Sequence, residues 1–235
     1  MDAKGAASAL LWWREAGVDT VVGEAPRDWL AAPPRPRPAA APEAPAAGDE
    51  VLPATLASFQ AWLTSAEALP LGAPAAPRVG PSGDPAAGLM VLVDMPTAED
   101  VAAGRLLSGE PGRLFDRMMA AIGRSRETLY LASLSPVRFP TGRIDPAFAD
   151  RLAVAARHHA ALAAPRALLL FGDGCARALA GAPLARARGR WHEIATPAGP
   201  VRTLVTLSPD FLLRQPGQKN AAWTDLKMLT EGLQP

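Results

Sequence analysis

The sequence is poor in the residues from which crosslinks and metal sites are made. Among 235 residues there are one cysteine, Cys175, and three histidines. A single thiol closes no internal disulfide, and no HxxxH or CxxC spacing offers zinc a ligand set. No metal or other cofactor is therefore expected, and a reducing cytoplasm suits the chain. Long apolar runs are missing too. Leu89 to Val93 and Leu168 to Phe171 are typical of the longest, far short of the roughly 20 residues that cross a bilayer. No membrane span is expected, and no secretory signal, since the chain opens on acidic Asp2. A phosphate-cradling loop is lacking as well, because Gly172, Asp173 and Gly174 are not followed by the Lys and Ser/Thr of a P-loop. Overall charge is nearly balanced, with 24 Lys/Arg against 23 Asp/Glu.

What is present is enough apolar residue, 49%, to bury one sizeable core. The balanced charge hides an asymmetry. Residues 1–84 carry six Lys/Arg against ten Asp/Glu, and the remainder carries 18 against 13, so the C-terminal part is mildly basic. That suits a polyanionic partner, and suits an ordinary solvated surface equally well.

Residues 1–24 contain an amphipathic helix at about 6–16, with Leu10, Leu11, Trp13 and Ala16 at helical spacing and Gly17 as a stop. Residues 25–51 read as a flexible Pro/Ala-rich linker, with six prolines between Pro33 and Gly48. Residues 52–235 read as the folded domain. It opens on a helix at 52–67 with Leu52, Leu56, Phe59, Trp62 and Leu63 on one face. From Gly88 onward, short apolar runs alternate with segments of helical period. The runs 89–95, 128–134, 167–172 and 201–207 are the strands; the segments 113–123, 146–163, 175–181 and 217–233 are the helices. This alternation predicts an α/β fold, a three-layer α/β/α sandwich around a central four-stranded parallel sheet. Ligands of such sheets bind at the carboxyl ends of the strands.

Four loops lie there: Asp94 to Arg105, Ser133 to Arg143, Gly172 to Cys175 and Ser208 to Lys219. Asp94, Glu99 and Asp100 form a trio of carboxylates that suits a general base, a metal or simply a solvated turn. Ser133 and Ser135 offer hydrogen bonds without a histidine beside them to activate a hydroxyl. His158 and His159 are adjacent on a helix and point about 100° apart, which excludes chelation by the pair. The loop from Ser208 to Lys219 carries Arg214 and Lys219 ahead of a helix, an arrangement open to a phosphate. Its Phe211, Leu212 and Leu213 either wedge into a base stack or pack beneath the domain.

Several segments, in order over about residues 52–235, resemble the uracil-DNA glycosylase superfamily, nearest to its iron–sulfur family 4 type. Gly104 and Arg105, then Gly112 to Met118, are similar to its GRPF…GQLLDRML stretch; Leu129 to Leu131 to its VYITN strand; and Gly189, Arg190 and Trp191 to its GRW. Pro209 with Leu212, Leu213 and Arg214 resembles HPAYLLR, and Lys219 with Trp223 to Lys227 resembles the K…WxDLK ending. The N-terminal helix on its tether also resembles extensions of bacterial relatives.

The resemblance implies an enzyme that flips uracil out of DNA and hydrolyses the N-glycosidic bond, using a carboxylate, a histidine, a stacking ring and a base-reading amide. At the matching positions stand other groups. Asp94 and Ser208 occupy the catalytic positions, Asp94 in place of the Glu of GEAPG and Ser208 in place of the His. Pro96, Leu107 and Ser133 fall on the base pocket, Leu107 replacing the stacking Phe and Ser133 the Asn. The first cluster motif reads Ala66 to Leu71, and the KCRPP cysteine falls at Val137, so no iron–sulfur cluster is implied. The expectation is a DNA-repair or replication protein, weak or inactive in base excision, that binds DNA through Arg105, Arg188, Arg190, Arg214 and Lys219. Two other readings stand beside it, an active glycosylase on a different damaged base and an adaptor whose Trp12/Trp13 helix docks a protein partner. A cytoplasmic monomer is expected in each case.

Overall fold

The computed structural model describes residues 52–65, 69 and 76–233. The Trp12/Trp13 helix and the linker at 25–51 lie outside the described residues, as does most of the Ala66 to Leu71 segment.

Six strands make one sheet: β1 (Ser82–Gly83), β2 (Leu89–Val93), β3 (Tyr130–Ser133), β4 (Ala167–Phe171), β5 (Trp191–Thr196) and β6 (Gly199–Thr206), in the order β1-β3-β2-β4-β6-β5. The inner four, β3, β2, β4 and β6, are parallel and coincide with the four apolar runs. The expected count of four is extended by two antiparallel edge strands, β1 on β3 and β5 on β6. β5 escapes a search for apolar runs because Trp191–Thr196 exposes every residue at least partly except Ile194. It reaches β6 through a tight turn in which Thr196 donates its hydroxyl to the Gly199 carbonyl at 2.6 Å.

Strands β2 and β4 are buried at all five positions, as continuous apolar runs covered on both faces should be. Alternate residues feed two cores. Met90, Leu92, Leu168, Leu170 and Val205 face α1 (Leu56–Thr64), α4 (Pro146–Ala163) and α5 (Asp173–Ala180). Val91, Val93, Leu169, Phe171 and Leu204 face α3 (Gly109–Ala120) and α8 (Lys219–Leu233). The three layers follow. Shorter helices α2 (Ala98–Ala103), α6 (Leu184–Ala187) and α7 (Pro209–Arg214) occupy the connections. Pro146 takes the first helical position of α4, behind Asp145 as N-cap.

Two local features explain motif residues. A Cβ on Gly112 would stand 1.8 Å from the Leu107 carbonyl oxygen, so only glycine lets α3 approach the preceding loop. That loop turns through Leu107 at φ 52°, and the Arg126 guanidinium holds it by donating to the carbonyls of Leu106 at 3.1 Å and Leu107 at 2.6 Å.

On the other face, a buried polar chain runs through the core. Gln60 donates to the Tyr130 hydroxyl at 2.8 Å, and that hydroxyl lies 2.8 Å from His159 Nε2. Phe59, fully buried, packs against the rings of both His158 and His159. His158 Nε2 meets the Pro53 carbonyl at 2.8 Å. Both histidines thus hold α1 to the domain. Leu69, Val137 and Phe139 share this apolar cluster.

Candidate functional site

A cleft of about 1240 Å³ opens across the carboxyl ends of β2, β4 and β6. Asp94 leaves β2, Gly172 to Gly174 leave β4, and Leu207 and Ser208 leave β6; all six of these cleft residues follow the strand ends where a parallel sheet places its ligands. Met95, Leu134, Ile144, Leu184, Leu207 and Phe211 give it apolar surface.

Asp94 and Ser208, remote in sequence, both line this cleft. Each also finishes a helix. One carboxylate oxygen of Asp94 accepts from the Gly174 amide at 3.1 Å and the other from the Cys175 amide at 2.6 Å, which satisfies two free donors at the start of α5. The fit requires bare backbone opposite. A Cβ on Gly172 would fall 2.4 Å from the carboxylate, and one on Gly174 would fall 2.9 Å from it. Burial pushes the Asp94 carboxyl up from its ordinary value, opposed by these two amides. Ser208 caps α7, its Oγ accepting from the Phe211 amide at 3.3 Å. Cys175 is fully buried beside Asp94, and burial together with that carboxylate pushes its thiol well up, which leaves it inert as a nucleophile.

The other two carboxylates of the first loop are separated from Asp94 by their own tasks. Asp100 is buried and accepts from the amides of Thr97 at 2.9 Å and Ser108 at 2.6 Å, a capping box that also pins the loop into α3. Glu99 lies over Gly109. Among the described residues no group of three or more His, Cys, Asp or Glu is placed to hold a metal ion.

Pro96, Leu107 and Ser133 do not line the cleft. Pro96 is buried, Ser133 ends β3 in register with Val93, and Leu107 is 6% exposed in the core beneath α3. Of the five basic residues, Arg188 and Arg214 line the cleft, whereas Arg105, Arg190 and Lys219 are exposed outside it. Arg188 donates to buried Asp225 at 2.9 Å, and Asp225 accepts as well from the Thr206 hydroxyl at 2.8 Å. Burial pushes the Asp225 carboxyl up, against the pull of those two donors. This ion pair ties the segment before Trp191 to α8, and so joins two of the motif segments through space. Arg214 pairs with Asp210 on the outer side of its own helix.

Arg143, Arg177 and Asp173 were not singled out by sequence, yet all three line the cleft. Arg177 donates to Asp173 at 2.6 Å, and the other oxygen of Asp173 accepts from the Leu184 amide at 2.8 Å. Burial works against ionisation of Asp173, but the hydrogen bonds from Arg177 and Leu184, with the charges of Arg177 and Arg143, outweigh it and hold the carboxyl low. The available signal was position: Arg143 lies in the loop after β3, and Asp173 and Arg177 lie on the helix that directly follows β4. Four guanidinium groups, from Arg143, Arg177, Arg188 and Arg214, thus face three carboxylates, from Asp94, Asp150 and Asp173.

A mixed sheet with a parallel centre, covered by helices on both faces and cleft at its carboxyl edge, defines an α/β/α ligand-binding class. Within that class, a family model of the uracil DNA glycosylase superfamily matches residues 81–227, more than half of the chain. The chain belongs to the uracil DNA glycosylase superfamily. No helix among the described residues is long and apolar enough to cross a membrane.

Proposed function

We propose that this chain is a DNA-binding protein of repair or replication, nearest to the iron–sulfur family 4 type, with weak or silent base excision. The observation that carries the reading is the engagement of Asp94 by the Gly174 and Cys175 amides. Cleavage of an N-glycosidic bond builds positive charge on the sugar and negative charge on the departing base, so it needs a carboxylate turned to the sugar and a donor at the base oxygen. Here the carboxylate is spent on a helix end, and Ser208 brings no imidazole. A missing donor of that kind alone costs about 10²–10³ in rate.

DNA binding draws its support from the arginines of the cleft and from the exposed Arg105, Arg190 and Lys219. The test pairs two assays: release of free uracil from single- and double-stranded substrates, and DNA affinity as a function of salt. The expected result is affinity that falls with salt, with uracil release near background. Rapid uracil release would overturn the silent reading, and salt-independent or absent binding would overturn the DNA-binding one.

Excision of another damaged base is favoured by one observation, that Asp94 and Ser208 share the cleft. It requires release of hypoxanthine, xanthine or a mismatched base by the wild type and loss of that release in Asp94→Ala. The adaptor reading rests on Trp12 and Trp13, and is tested by partner capture with and without residues 1–48. A cytoplasmic monomer belongs to all three readings.

A further inference from the structure

Helix α8 turns Ala222, Asp225, Leu226 and Leu229 inward. On its outer side Lys219, Trp223 and Lys227 follow at intervals of four, so they form a single row along the helix. Trp223 is 41% exposed and is the one aromatic among the exposed large apolar side chains of the described residues. It belongs to none of the three apolar clusters. Lys219 and Lys227 are exposed, and among the described residues neither enters an ion pair. At 1.5 Å of rise per residue, the two ammonium-bearing positions stand about 12 Å apart with the indole midway. Asn220 and Thr224 beside the row are uncharged, and Glu231 ends it.

The row begins where the cleft ends. Arg214 and Gln218 line the cleft, and Lys219 is the next residue. A flat apolar ring between two unpaired cations complements one ligand chemistry well, a base flanked by phosphates. Only an unpaired base presents a free face to the ring, because in a duplex both faces are stacked. We infer that Lys219, Trp223 and Lys227 form a stacking platform for single-stranded DNA leaving the cleft, the base lying on the indole and the neighbouring phosphates meeting the two lysines. This inference rests on the DNA-binding reading above, and adds to it a preference for unpaired strand.

The experiment is fluorescence anisotropy at fixed salt with the full-length chain and two labelled probes, an oligothymidylate of about 15 nucleotides and a blunt duplex of equal length. Trp223→Ala should weaken oligothymidylate binding about ten-fold, leave duplex affinity within about two-fold, and keep a melting profile close to wild type because the ring belongs to none of the apolar clusters. Trp223→Tyr, which retains a ring, should restore most of the loss. The double variant Lys219→Gln/Lys227→Gln should flatten the salt slope for the single strand by about 1.4, two phosphates at about 0.7 each. Wild-type binding that is indifferent to Trp223→Ala, or that falls equally for both probes, would overturn the platform alone. A wild type that binds neither probe would overturn the DNA-binding reading, and the platform with it. A wild-type dimer that dissociates on Trp223→Ala in sedimentation would assign the row to self-association instead.

Discussion

Replacing Asp94 separates the two tasks its carboxylate is able to perform. In Asp94→Ala the amides of Gly174 and Cys175 lose their acceptor, and α5 loses the group that terminates it. An N-cap deletion costs about 0.5–2 kcal/mol, and a donor left unpaired in a partly buried site costs about 1–3 kcal/mol. The two figures overlap, because the unpaired amides are what the lost cap leaves, and the expected loss is about 2–3 kcal/mol, or roughly 5–10 °C in Tm for a domain of this size. Asp94→Asn keeps a carbonyl oxygen for the Cys175 amide and removes a charge that burial disfavours, but its NH2 cannot accept from the Gly174 amide, so its cost should be about 1–2 kcal/mol, below that of alanine. The pH dependence has a defined sign. A carboxyl raised above its ordinary value of 3.8 binds its proton more tightly folded than unfolded. Its contribution to stability is therefore present below that value and lost as pH rises through the raised one, and Asp94→Asn removes this dependence. Urea denaturation at neutral pH and through the acid range, with uracil release measured on the same preparations, checks all of it. An Ala variant as stable as wild type would refute the cap. Efficient uracil release by wild type, abolished in both variants, would show the carboxylate at work on the sugar.

His159 is held at about 4, chiefly by burial and further by His158, against 6.5 for an ordinary imidazole. The unfolded chain takes up that proton first as pH falls, so stability drains away from pH 6.5 down to 4, with a loss of about 2 kcal/mol by pH 5; His159→Gln should flatten this part of a urea-denaturation series. Arg188→Ala leaves the Asp225 carboxylate buried with Thr206 alone, and should lower denaturation free energy by about 3 kcal/mol, partly recovered by adding Asp225→Asn. Gly112→Ala drives a methyl into the Leu107 carbonyl, and should cost about 2 kcal/mol despite the better helix propensity of alanine. A Tm at or above wild type would show that the loop gives way.

The centre of the fold was legible because its strands are buried on both faces. Leu89–Val93 and Ala167–Phe171 leave no polar residue to confuse the pattern. The edges were not: β1 has two residues, and β5 buries only Ile194 and carries polar residues such as His192 and Glu193. The loop at 94–105 hid the helix Ala98–Ala103, whose capping box is visible as Thr97 and Asp100. For the site, pattern and resemblance brought Asp94 and Ser208 to one cleft, but a motif position says nothing of what a carboxylate accepts from. Arg177 and Asp173 were passed over for a related reason, since a salt bridge between i and i+4 on a helix reads as ordinary surface until the strands around it are placed.

The last turn of α8 has a duty beyond covering the core. A Cβ on Gly232 would stand 2.4 Å from the Trp191 indole, and Arg202, whose guanidinium lies 4.4 Å from the centre of the Trp191 ring, donates to the Gly232 carbonyl at 3.2 Å. Trp191 begins β5, and β5 closes the sheet. Trimming the chain before Gly232, or fusing a bulky tag close behind it, would uncover an indole beside a row of unpaired backbone groups, the combination that invites strands of neighbouring molecules to join. Loss of the final few residues should thus appear as aggregation before it appears as a lower melting temperature.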